Sequence, residues 1–307
     1  MAGYIKKQHP GTRIIFLGQT YTEQVVALSE HVDHFVDVKQ LQEKSLSEQV
    51  ELIQALNADA IVHVFPNKII AKLAKAAGIP IRVGTSHRSY HWTTCNKRVS
   101  FSRKKSALHE AQLNFNLLQP FGVNALPEKE ELISCYGFSQ VPVLPKQFEA
   151  VLGPQGKNII LHPKSKGSAV EWGLENFAAL TQLLSREGYS VFITGTAAEK
   201  ELIGNAIPWE LEGVTDLTGK MSLSELIAFI ARCDALVAAS TGPLHIAAAL
   251  GLKAVGLFSE RRPIHPGRWS PIGANALALT HPGGAGDAEK DANIRKIAPE
   301  TVLKALS

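Results

Sequence analysis

Short apolar runs alternate along this chain with longer segments of helical periodicity. In the first half, strands are predicted at 13–17, 34–38, 59–64 and 80–83, and helices at 20–29, 45–57, 67–77 and 106–121. In the second half, strands are predicted at 158–161, 190–194, 235–238 and 253–258, and helices at 174–187, 197–206, 222–233 and 243–250. Because the strands are nearly all apolar, we expect parallel sheets that helices cover on both faces.

This alternation predicts an α/β fold with two Rossmann-like, doubly wound domains. Residues 122–157 are rich in proline and glycine and show no strong period, so the domain boundary is expected near residue 150. The predicted segments are 1–150, 151–285 and a C-terminal helical segment, 286–307. A doubly wound domain normally opens with a central strand. Since the first dozen residues instead resemble a helix end and a turn, the first sheet is expected to lack its opening strand and the loop after it.

Composition narrows the class of protein. The chain has 307 residues, of which 45% are hydrophobic and 20% charged, and this balance is typical of a soluble globular protein. No apolar run approaches the ~18 residues that a membrane-spanning helix needs. The cysteines (Cys95, Cys135 and Cys233) are widely spaced and fit neither a disulfide framework nor a zinc site. A cytoplasmic location is therefore expected.

Positive charge is concentrated in one stretch of the first half. No Asp or Glu occurs from Ala60 to His109. The basic residues of that stretch are Lys68, Lys72, Lys75, Arg82, Arg88, Lys97, Arg98, Arg103, Lys104 and Lys105. This asymmetry predicts an anionic partner, with a solvated basic face as the alternative. Aromatic residues also lie among these cations, and the spacing alone fits nucleic acid and anionic lipid headgroups equally well.

The strongest candidate for chemistry is the segment Ser240–His245, between a predicted strand and an alanine-rich helix. Pro243 suits the first helical turn, where its missing N–H has no intrahelical role. Free backbone N–H groups and the positive end of the helix dipole would suit a diphosphate there, and Thr241 adds a hydroxyl donor. A plain strand-to-helix turn is the alternative. His245 suits a ligand contact and a buried core position equally well.

Two further loops follow predicted strands and are expected at the same sheet edge. The loop at 162–172 carries Lys164 and Lys166, which suit phosphate as point charges, and the hydroxyls of Ser165 and Ser168. In that loop, Trp172 is interpreted as a packing residue. The loop at 259–271 carries three arginines and His265, and arginine suits phosphate or carboxylate groups. Solvated surface loops are the alternative interpretation of both. No GxGxxG motif after a strand, P-loop, HExxH or GxSxG motif occurs, which disfavours the corresponding enzyme classes.

The run DLTGKMSLSELIAFIARCDALVAASTGPLHIAAALGLKAVGLF, at 216–258, resembles glycosyltransferase family 9, the ADP-heptose:lipopolysaccharide heptosyltransferases. The HxxxxNxxLL pattern at 109–118 and the IxPExVLxAL-like end at 297–306 are similar to the same family. The resemblance covers nearly the whole chain from about Pro10. It implies a GT-B fold, in which two Rossmann-like domains face each other across a cleft. The N-terminal domain would hold the acceptor and the C-terminal domain the nucleotide sugar, and the final helix would pack back on the N-terminal domain.

The resemblance also implies roles for individual residues. The donor, ADP-heptose or a similar nucleotide sugar, would contact Ser165, Lys166, Glu199, Thr241, Gly242, Pro243 and His245. An anionic glycolipid acceptor would meet the basic stretch through Arg88, Lys97, Arg98 and Arg103. The family often has a basic residue at the position of Val170 and an acidic residue at that of Ser240, so a sugar other than heptose is also compatible. No cofactor, metal or nucleic acid is expected, and peripheral contact with the inner membrane is compatible with the basic face.

The reaction implied is inverting transfer of heptose or a related sugar, without a metal, to a lipopolysaccharide-type or other glycan. In the family, the catalytic base is thought to be an aspartate in a glycine–aspartate loop after the first strand. This sequence begins after that point, so no residue is assigned that role. A sugar-nucleotide epimerase or hydrolase, and a non-catalytic or impaired GT-B remnant, are the alternative functions.

Overall fold

A computed structural model describes residues 1–103 and 106–307 and divides the chain into two compact units. Unit 1 contains residues 1–27 and 31–135, and unit 2 contains 28–30 and 136–307. The division therefore falls before Tyr136 instead of near residue 150. The segment 28–30 joins unit 2 because Ser29 forms a bridge with Phe138, and Glu30 donates its N–H to the Gly137 carbonyl (2.9 Å). For this reason the helix predicted at 20–29 ends early, at Val26.

Among its described residues, unit 1 contains five short strands in two separate parallel sheets. The strands are β1 (Ile15–Gly18), β2 (His34–Asp37), β3 (Ala60–Val62), β4 (Ile81–Thr85) and β5 (Lys97–Val99). In the part of the chain that the structure describes, β1 pairs only with β2, whereas β3 pairs with β4 and β4 with β5. No strand there joins β1 to β3, and the sheet is split at the position where a doubly wound domain has its central strand.

Short helices cover the sheets of unit 1. They are α1 (Ala2–Gln8), α2 (Glu23–Val26), α3 (Val38–Gln42), α4 (Leu46–Ala55), α5 (Lys68–Ala76), α6 (His91–Thr94), α7 (Glu110–Phe115) and α8 (Lys129–Ile133). The predicted N-terminal helix is confirmed by α1. One core cluster contains Ile53 of α4 and Leu73 of α5, with Leu17 of β1 and Ile61 of β3 packed against it. Helices α4 and α5 therefore pack against both sheets of the unit.

Unit 2 is built on one continuous parallel sheet of six strands. The strands are β6 (Asn158–His162), β7 (Ser190–Ile193), β8 (Val214–Asp216), β9 (Ala235–Ala239), β10 (Lys253–Leu257) and β11 (Ala276–Leu279). Their order across the sheet is β11-β10-β9-β6-β7-β8. Every residue of the central strands β6 and β9 is buried. The predicted α/β class and doubly covered parallel sheet are thus confirmed.

The helices of unit 2 cover both faces of its sheet. They are α9 (Lys146–Glu149), α10 (Leu174–Arg186), α11 (Ala197–Ile203), α12 (Leu223–Ile230), α13 (Gly242–Ala249), α14 (Pro266–Trp269), α15 (Asp287–Asn293) and α16 (Pro299–Leu306). We expected the final helix to pack on the N-terminal domain. Instead, Val302 and Leu306 of α16 are buried in the core of unit 2, in the same cluster as Leu180 of α10. The apolar side of α16 is therefore buried within unit 2.

Candidate functional site

The carboxyl edge of the sheet in unit 2 brings together the three loops singled out in the sequence. Strand β9 is hydrogen-bonded to β6 on one side and to β10 on the other, all in parallel. The loops that follow these strands, at 163–173, 240–241 and 258–265, therefore begin at the same edge. In open α/β sheets, ligands bind outside the carboxyl ends of the strands.

Helix α13 begins at this edge without a side-chain cap. Thr241 is its N-cap residue in an extended conformation (φ −123°, ψ 164°), and no side chain caps the first turn. The Thr241 hydroxyl is buried and has no hydrogen-bond partner. Because the first N–H groups of a helix lack intrahelical acceptors, α13 presents backbone donors beside this unused hydroxyl. Together with the positive end of the dipole, these donors form a site for an anion.

Space for a ligand lies directly in front of this helix start. A side-chain carbon at Gly242 would meet no atom within 4 Å. The adjoining cavity has a volume of about 370 Å³. Its lining residues are Ser168, Ala169, Val170, Ser240, Thr241, Gly242, His245, Leu257, Phe258, Ser259, Ile264 and Trp269. All three loops contribute to this set, which we call the α13 cavity.

A second cavity adjoins the first and has a different chemistry. It has a volume of about 450 Å³ and is lined by Val170, Glu171, Asp291, Ala292 and Arg295. Val170 lines both cavities. The second cavity has three charged lining residues, whereas none of the residues that line the α13 cavity is an Asp, Glu, Lys or Arg.

The Glu171 carboxylate organises the loop after β6. It accepts hydrogen bonds from the backbone N–H and the hydroxyl of Ser165, each at 3.0 Å, and forms an ion pair with Lys164. Ser165 and Lys164 are thus used inside the loop, and neither lines either cavity. Lys166 adopts a left-handed backbone conformation (φ 49°) and is exposed. Its charge is the one in this loop that is available to a phosphate.

The loop after β10 is held by an acidic residue from α15. Asp291 accepts the Ser259 hydroxyl at 2.7 Å and pairs with the Arg261 guanidinium at 2.9 Å. The Arg268 guanidinium lies over the Trp269 ring at 5.4 Å. Burial, together with neighbouring arginines, lowers the pKa of His265 from its ordinary value. These contacts fix the loop so that Ile264 and Trp269 line the α13 cavity.

The predicted donor-site residues fall into three groups. Thr241, Gly242 and His245 line the α13 cavity, and Pro243 belongs to the same helix start. Ser165 and Lys166 lie in the loop whose later residues, 168–170, line it. Glu199 stands apart at the start of α11, where its carboxylate accepts the N–H (2.7 Å) and hydroxyl (2.9 Å) of Thr196. Their roles in binding a donor stay predictions.

Sequence reasoning missed the apolar part of the cavity. Phe258, Ile264 and Trp269 line it. Phe258 ends a predicted strand, and only their position in the loop after that strand pointed to Ile264 and Trp269. The interpretation of Trp172 as a packing residue is confirmed. It is fully buried, its indole N–H donates to the Ile297 carbonyl at 2.9 Å, and its ring makes an edge contact with Phe177.

The predicted acceptor residues of unit 1 differ in their exposure and in whether their charges are paired within the protein. Arg88 and Lys97 are exposed. The Arg98 guanidinium donates to the Cys95 carbonyl (2.9 Å) and lies over the Trp92 ring (4.7 Å). Arg103 is paired with Glu110 at 2.7 Å, which neutralises its charge. Lys104 and Lys105, also part of the basic stretch, lie outside the described residues.

An exposed apolar surface accompanies these cations. The Phe65 side chain, just before α5, is 92% exposed, and Trp92 of α6 is 62% exposed. On α5, Ile69 is 54% exposed, and Lys68, Lys72 and Lys75 are also exposed. The Lys75 ammonium group donates to the Thr93 carbonyl at 2.9 Å, which joins the lysine row to α6. We call Phe65, Ile69, Trp92 and these three lysines the α5–α6 surface.

Two buried histidines lie beneath this surface. His63 and His91 follow β3 and β4, and their rings are 5.4 Å apart. The His91 Nδ1 bonds to the Thr85 carbonyl at 2.9 Å, and a side-chain carbon at Gly84 would clash with the His91 ring. The Nε2 atoms of both histidines are buried without a partner. Burial and the neighbouring His91 lower the pKa of His63 to about 4, so both rings are neutral at pH 7.

Among residues 1–103 and 106–307, no group of three or more His, Cys, Asp or Glu side chains is arranged to hold a metal ion. In the same residues, no helix combines the length and the apolar character needed to cross a membrane.

Comparison with known proteins agrees with the motif analysis. The model of glycosyltransferase family 9 (heptosyltransferase) matches residues 49–296. Lipopolysaccharide heptosyltransferase 3 of Escherichia coli is 25% identical over 87% of this chain and 80% of its own. A family 9 glycosyl transferase from Veillonella parvula superposes with a TM-score of 0.78 at 22% identity, over 99% of this chain and 91% of its own. The E. coli ADP-heptose LPS heptosyltransferase II gives 0.76 at 20% identity, with the same coverage. The fold is that of these enzymes, the GT-B class expected from the sequence.

Proposed function

Because the chain belongs to glycosyltransferase family 9 and is a glycosyltransferase, we propose a specific reaction for it. It transfers heptose or a related sugar from a nucleoside diphosphate sugar to a lipopolysaccharide-type glycan, with inversion and without a metal. The similarity to an ADP-heptose enzyme supports this donor class. The observation that carries the proposal is the buried, unpartnered Thr241 hydroxyl at the uncapped start of α13.

The reaction breaks one bond and forms another. An acceptor hydroxyl oxygen attacks the anomeric carbon from the face opposite the diphosphate, while the bond from that carbon to the phosphate oxygen breaks. The electron pair of the broken bond stays on the diphosphate, and the hydroxyl proton passes to a base. Since attack and departure are in line, the anomeric configuration inverts. No residue described here is assigned as the base.

The α13 start would stabilise the departing group. Negative charge grows on the β-phosphate as the sugar leaves, and fixed donors aimed at that charge lower the barrier. Gly242 and Leu244 provide backbone N–H groups there, whereas Pro243 has none. The Thr241 hydroxyl adds a third donor, and its lack of any other partner is explained if a phosphate oxygen accepts it. Lys166 is exposed in the adjacent loop and would add a positive charge.

The acceptor is proposed to be an anionic glycolipid that meets the basic side of unit 1. Arg88 and Lys97 provide exposed charges for its phosphates. The α5–α6 surface supports peripheral contact with the inner membrane, because Phe65 and Trp92 expose apolar rings beside a lysine row. Exposed apolar side chains enter the interfacial region of a bilayer, and lysines attract anionic lipid headgroups.

Transfer is tested with ADP-heptose and heptose-deficient lipopolysaccharide core as acceptor. We expect ADP release that depends on the acceptor, an inverted anomeric linkage by NMR, and unchanged turnover in EDTA. Thr241→Val should lower turnover at least about tenfold, because it removes a donor to the leaving group. Thr181→Val is the matched control, since the Thr181 hydroxyl bonds only within α10. ADP release without acceptor would indicate a hydrolase, and donor binding without turnover a non-catalytic protein; either contradicts the proposal.

Membrane contact is tested by sedimentation with lipid vesicles. Binding should occur with vesicles that contain phosphatidylglycerol, and should be weaker with phosphatidylcholine alone and at high salt. Phe65→Ser should weaken it about tenfold, in line with the roughly 1.5–3 kcal/mol gained by burying a large apolar side chain. Val143→Ser in unit 2 is the control, because Val143 is 93% exposed. Equal binding by all three proteins would refute this surface as the contact.

A further inference from the structure

The second cavity, which adjoins the α13 cavity, has the chemistry to bind a group with several hydroxyls. On the premise of the proposed function, we infer that this cavity binds hydroxyl groups of the transferred sugar that are remote from its anomeric carbon. Arg295 donates hydrogen bonds to these hydroxyls, and the carboxylates of Glu171 and Asp291 accept hydrogen bonds from them. The diphosphate and the anomeric carbon stay at the start of α13.

Two contacts connect the second cavity with the α13 cavity. Val170 lines both cavities, and Glu171, which lines the second, follows it directly in the chain. Ser259 lines the α13 cavity and donates its hydroxyl to Asp291, which lines the second cavity, at 2.7 Å. A sugar whose diphosphate is bound at the start of α13 therefore lies next to the second cavity.

The α13 cavity itself offers few polar side chains to a sugar. Six of its twelve lining residues have hydrocarbon or aromatic side chains. The hydroxyls of Ser168 and Ser259 already donate hydrogen bonds within the protein. Thr241 is assigned to the diphosphate, so that Ser240 and His245 are the other polar side chains of the lining. Two neutral side chains are fewer partners than the several hydroxyl groups of a heptose need.

Arg295 provides the second cavity with hydrogen-bond donors. In the described part of the chain, no hydrogen bond, ion pair or ring contact uses its guanidinium group. The stem of the side chain lies close to Gly173, where an added side-chain carbon would meet the Arg295 Cγ at 3.9 Å. The Arg295 carbonyl accepts the Asn176 side-chain amide at 2.8 Å, which holds the backbone beside α10. The guanidinium is thus placed in the lining with its N–H donors unused.

The two carboxylates provide acceptors whose charge is already balanced. Glu171 is paired with Lys164, and Asp291 with Arg261. A carboxylate has about four lone-pair positions. Glu171 uses three, for the Lys164 ammonium group and for the N–H and hydroxyl of Ser165. Asp291 accepts one hydroxyl and one guanidinium N–H. Each carboxylate therefore keeps at least one acceptor position for a ligand.

This combination of groups matches hydroxyls better than charged ligands. A hydroxyl group both donates and accepts, so it satisfies a carboxylate and a guanidinium at the same time. A phosphate or carboxylate ligand would accept from Arg295 but would face two carboxylates of like charge. An ammonium ligand has no acceptor for the Arg295 N–H groups and is repelled by them. A neutral sugar with neighbouring hydroxyls satisfies both kinds of side chain.

Arg295→Met tests the inference, because methionine retains an apolar stem but has no N–H donor. Glu171 and Asp291 are not changed, since each holds a loop of the α13 site. In calorimetric titrations, Arg295→Met should weaken binding of ADP-heptose about tenfold, as expected for the loss of hydrogen bonds from a charged group, and leave binding of ADP unchanged. Arg186→Met is the matched control, since Arg186 is exposed at the end of α10 and lines neither cavity.

Ala292→Leu tests the same cavity by filling it, without removal of a polar group. Ala292 lines the second cavity and is exposed on α15, so the larger side chain needs no change in the core. This variant should also weaken binding of ADP-heptose about tenfold or more and leave binding of ADP unchanged. Ala288→Leu is the matched control, because Ala288 is exposed on the same helix and lines neither cavity.

Titration with ADP-mannose, which lacks the seventh carbon of a heptose, identifies the hydroxyl groups that bind. If Arg295→Met weakens binding of ADP-heptose alone, the cavity holds the hydroxyl on the seventh carbon. If it weakens binding of both donors, the cavity holds hydroxyls that the two sugars share. Both results support the inference.

The remaining outcomes separate this inference from the function on which it rests. An equal loss of ADP and ADP-heptose binding in Arg295→Met would assign Arg295 to the nucleoside diphosphate and overturn the inference, with the proposed function left standing. Unchanged binding of ADP-heptose in Arg295→Met or in Ala292→Leu would also overturn it, as would an equal loss in the matched controls. If the wild-type protein binds ADP-heptose no better than a protein without the site, the proposed donor fails, and the inference fails with it.

Discussion

The two units use the same kind of strand in different settings. In unit 2, β9 is bonded on both sides and covered by helices, and all its residues are buried. In unit 1, β1 and β3 each pair with one neighbour among the described residues, and none of their residues is fully buried. Burial therefore depends on completion of the sheet as well as on the sequence of the strand. Unit 2 is expected to be the more stable scaffold, and it carries the α13 site.

The largest expected effect compares equivalent truncations in the two sheets. Leu161 of β6 is fully buried, whereas Leu17 of β1 is partly exposed. Leu161→Ala should reduce the free energy of unfolding by roughly 3–5 kcal/mol, because a buried cavity remains. Leu17→Ala should cost only about 1–2 kcal/mol, since less apolar surface returns to water. Urea unfolding of both variants measures the difference. Equal losses in the free energy of unfolding would contradict the expected difference between the two sheets.

Acid should weaken unit 1 through its buried histidines. His63 has a folded-state pKa of about 4 instead of the usual 6.5, so it binds more protons when unfolded between these values. The contribution of neutral His63 to the free energy of unfolding is therefore fully present above pH 6.5 and falls as the pH drops toward 4. The loss is roughly 1.4 kcal/mol per pH unit. Unfolding measured from pH 7 to pH 4 checks this slope.

A variant isolates the contribution of that histidine. His63→Phe should flatten the acid slope and remain within about 1 kcal/mol of the wild type at pH 7, because the His63 Nε2 has no hydrogen bond to lose. His9→Phe, at an exposed position, should leave the slope unchanged. If His63→Phe retained the full slope, the titration would have to be assigned to other groups.

The smallest expected effects come from ion pairs at the surfaces of the two units. In unit 1, Asp33 accepts the Ile14 N–H at 2.7 Å and pairs with Lys6, and both interactions lower its pKa. In unit 2, the Arg232–Glu149 pair is 3.1 Å long with both side chains half-exposed. Asp33→Asn should cost up to about 1 kcal/mol and Glu149→Gln less than about 0.5 kcal/mol. Thermal unfolding at pH 7 compares the stability of the two variants. A larger loss of stability for Glu149→Gln than for Asp33→Asn would contradict this interpretation.

Sequence patterns predicted best those elements that are buried on both faces. The strand predicted at 235–238 is β9 at 235–239, and the helix predicted at 243–250 is α13 at 242–249. Strands β5 and β8 were missed because they have only three residues each and include charged side chains, so their sequences carry no continuous apolar run. Strand β11 is apolar throughout, but it has only four residues and is partly exposed. The helix predicted at 106–121 is shortened to α7 and a 3₁₀ segment that contains Pro120, which lacks the N–H that an α-helix requires.

The candidate site was predictable only in part, for a related reason. The start of α13 depends on local signals, a glycine and a proline after an apolar strand, and these are visible in sequence. The position of Trp269 depends on a loop held by Asp291, which is distant in sequence. Glu199 was predicted from family resemblance; its carboxylate caps its own helix, and its role in donor binding stays a prediction. Contacts between distant residues thus decide the apolar lining, and no local pattern encodes them.

The most direct measurement of the central claim is a crystal structure of the protein soaked with ADP. The account predicts that β-phosphate oxygens lie about 3 Å from the Thr241 hydroxyl and from the backbone nitrogens of Gly242 and Leu244. The orphaned hydroxyl would then have its partner, and the α13 cavity would hold space for the sugar. A bound diphosphate held only by Lys166, with the Thr241 hydroxyl still unpartnered, would contradict the account.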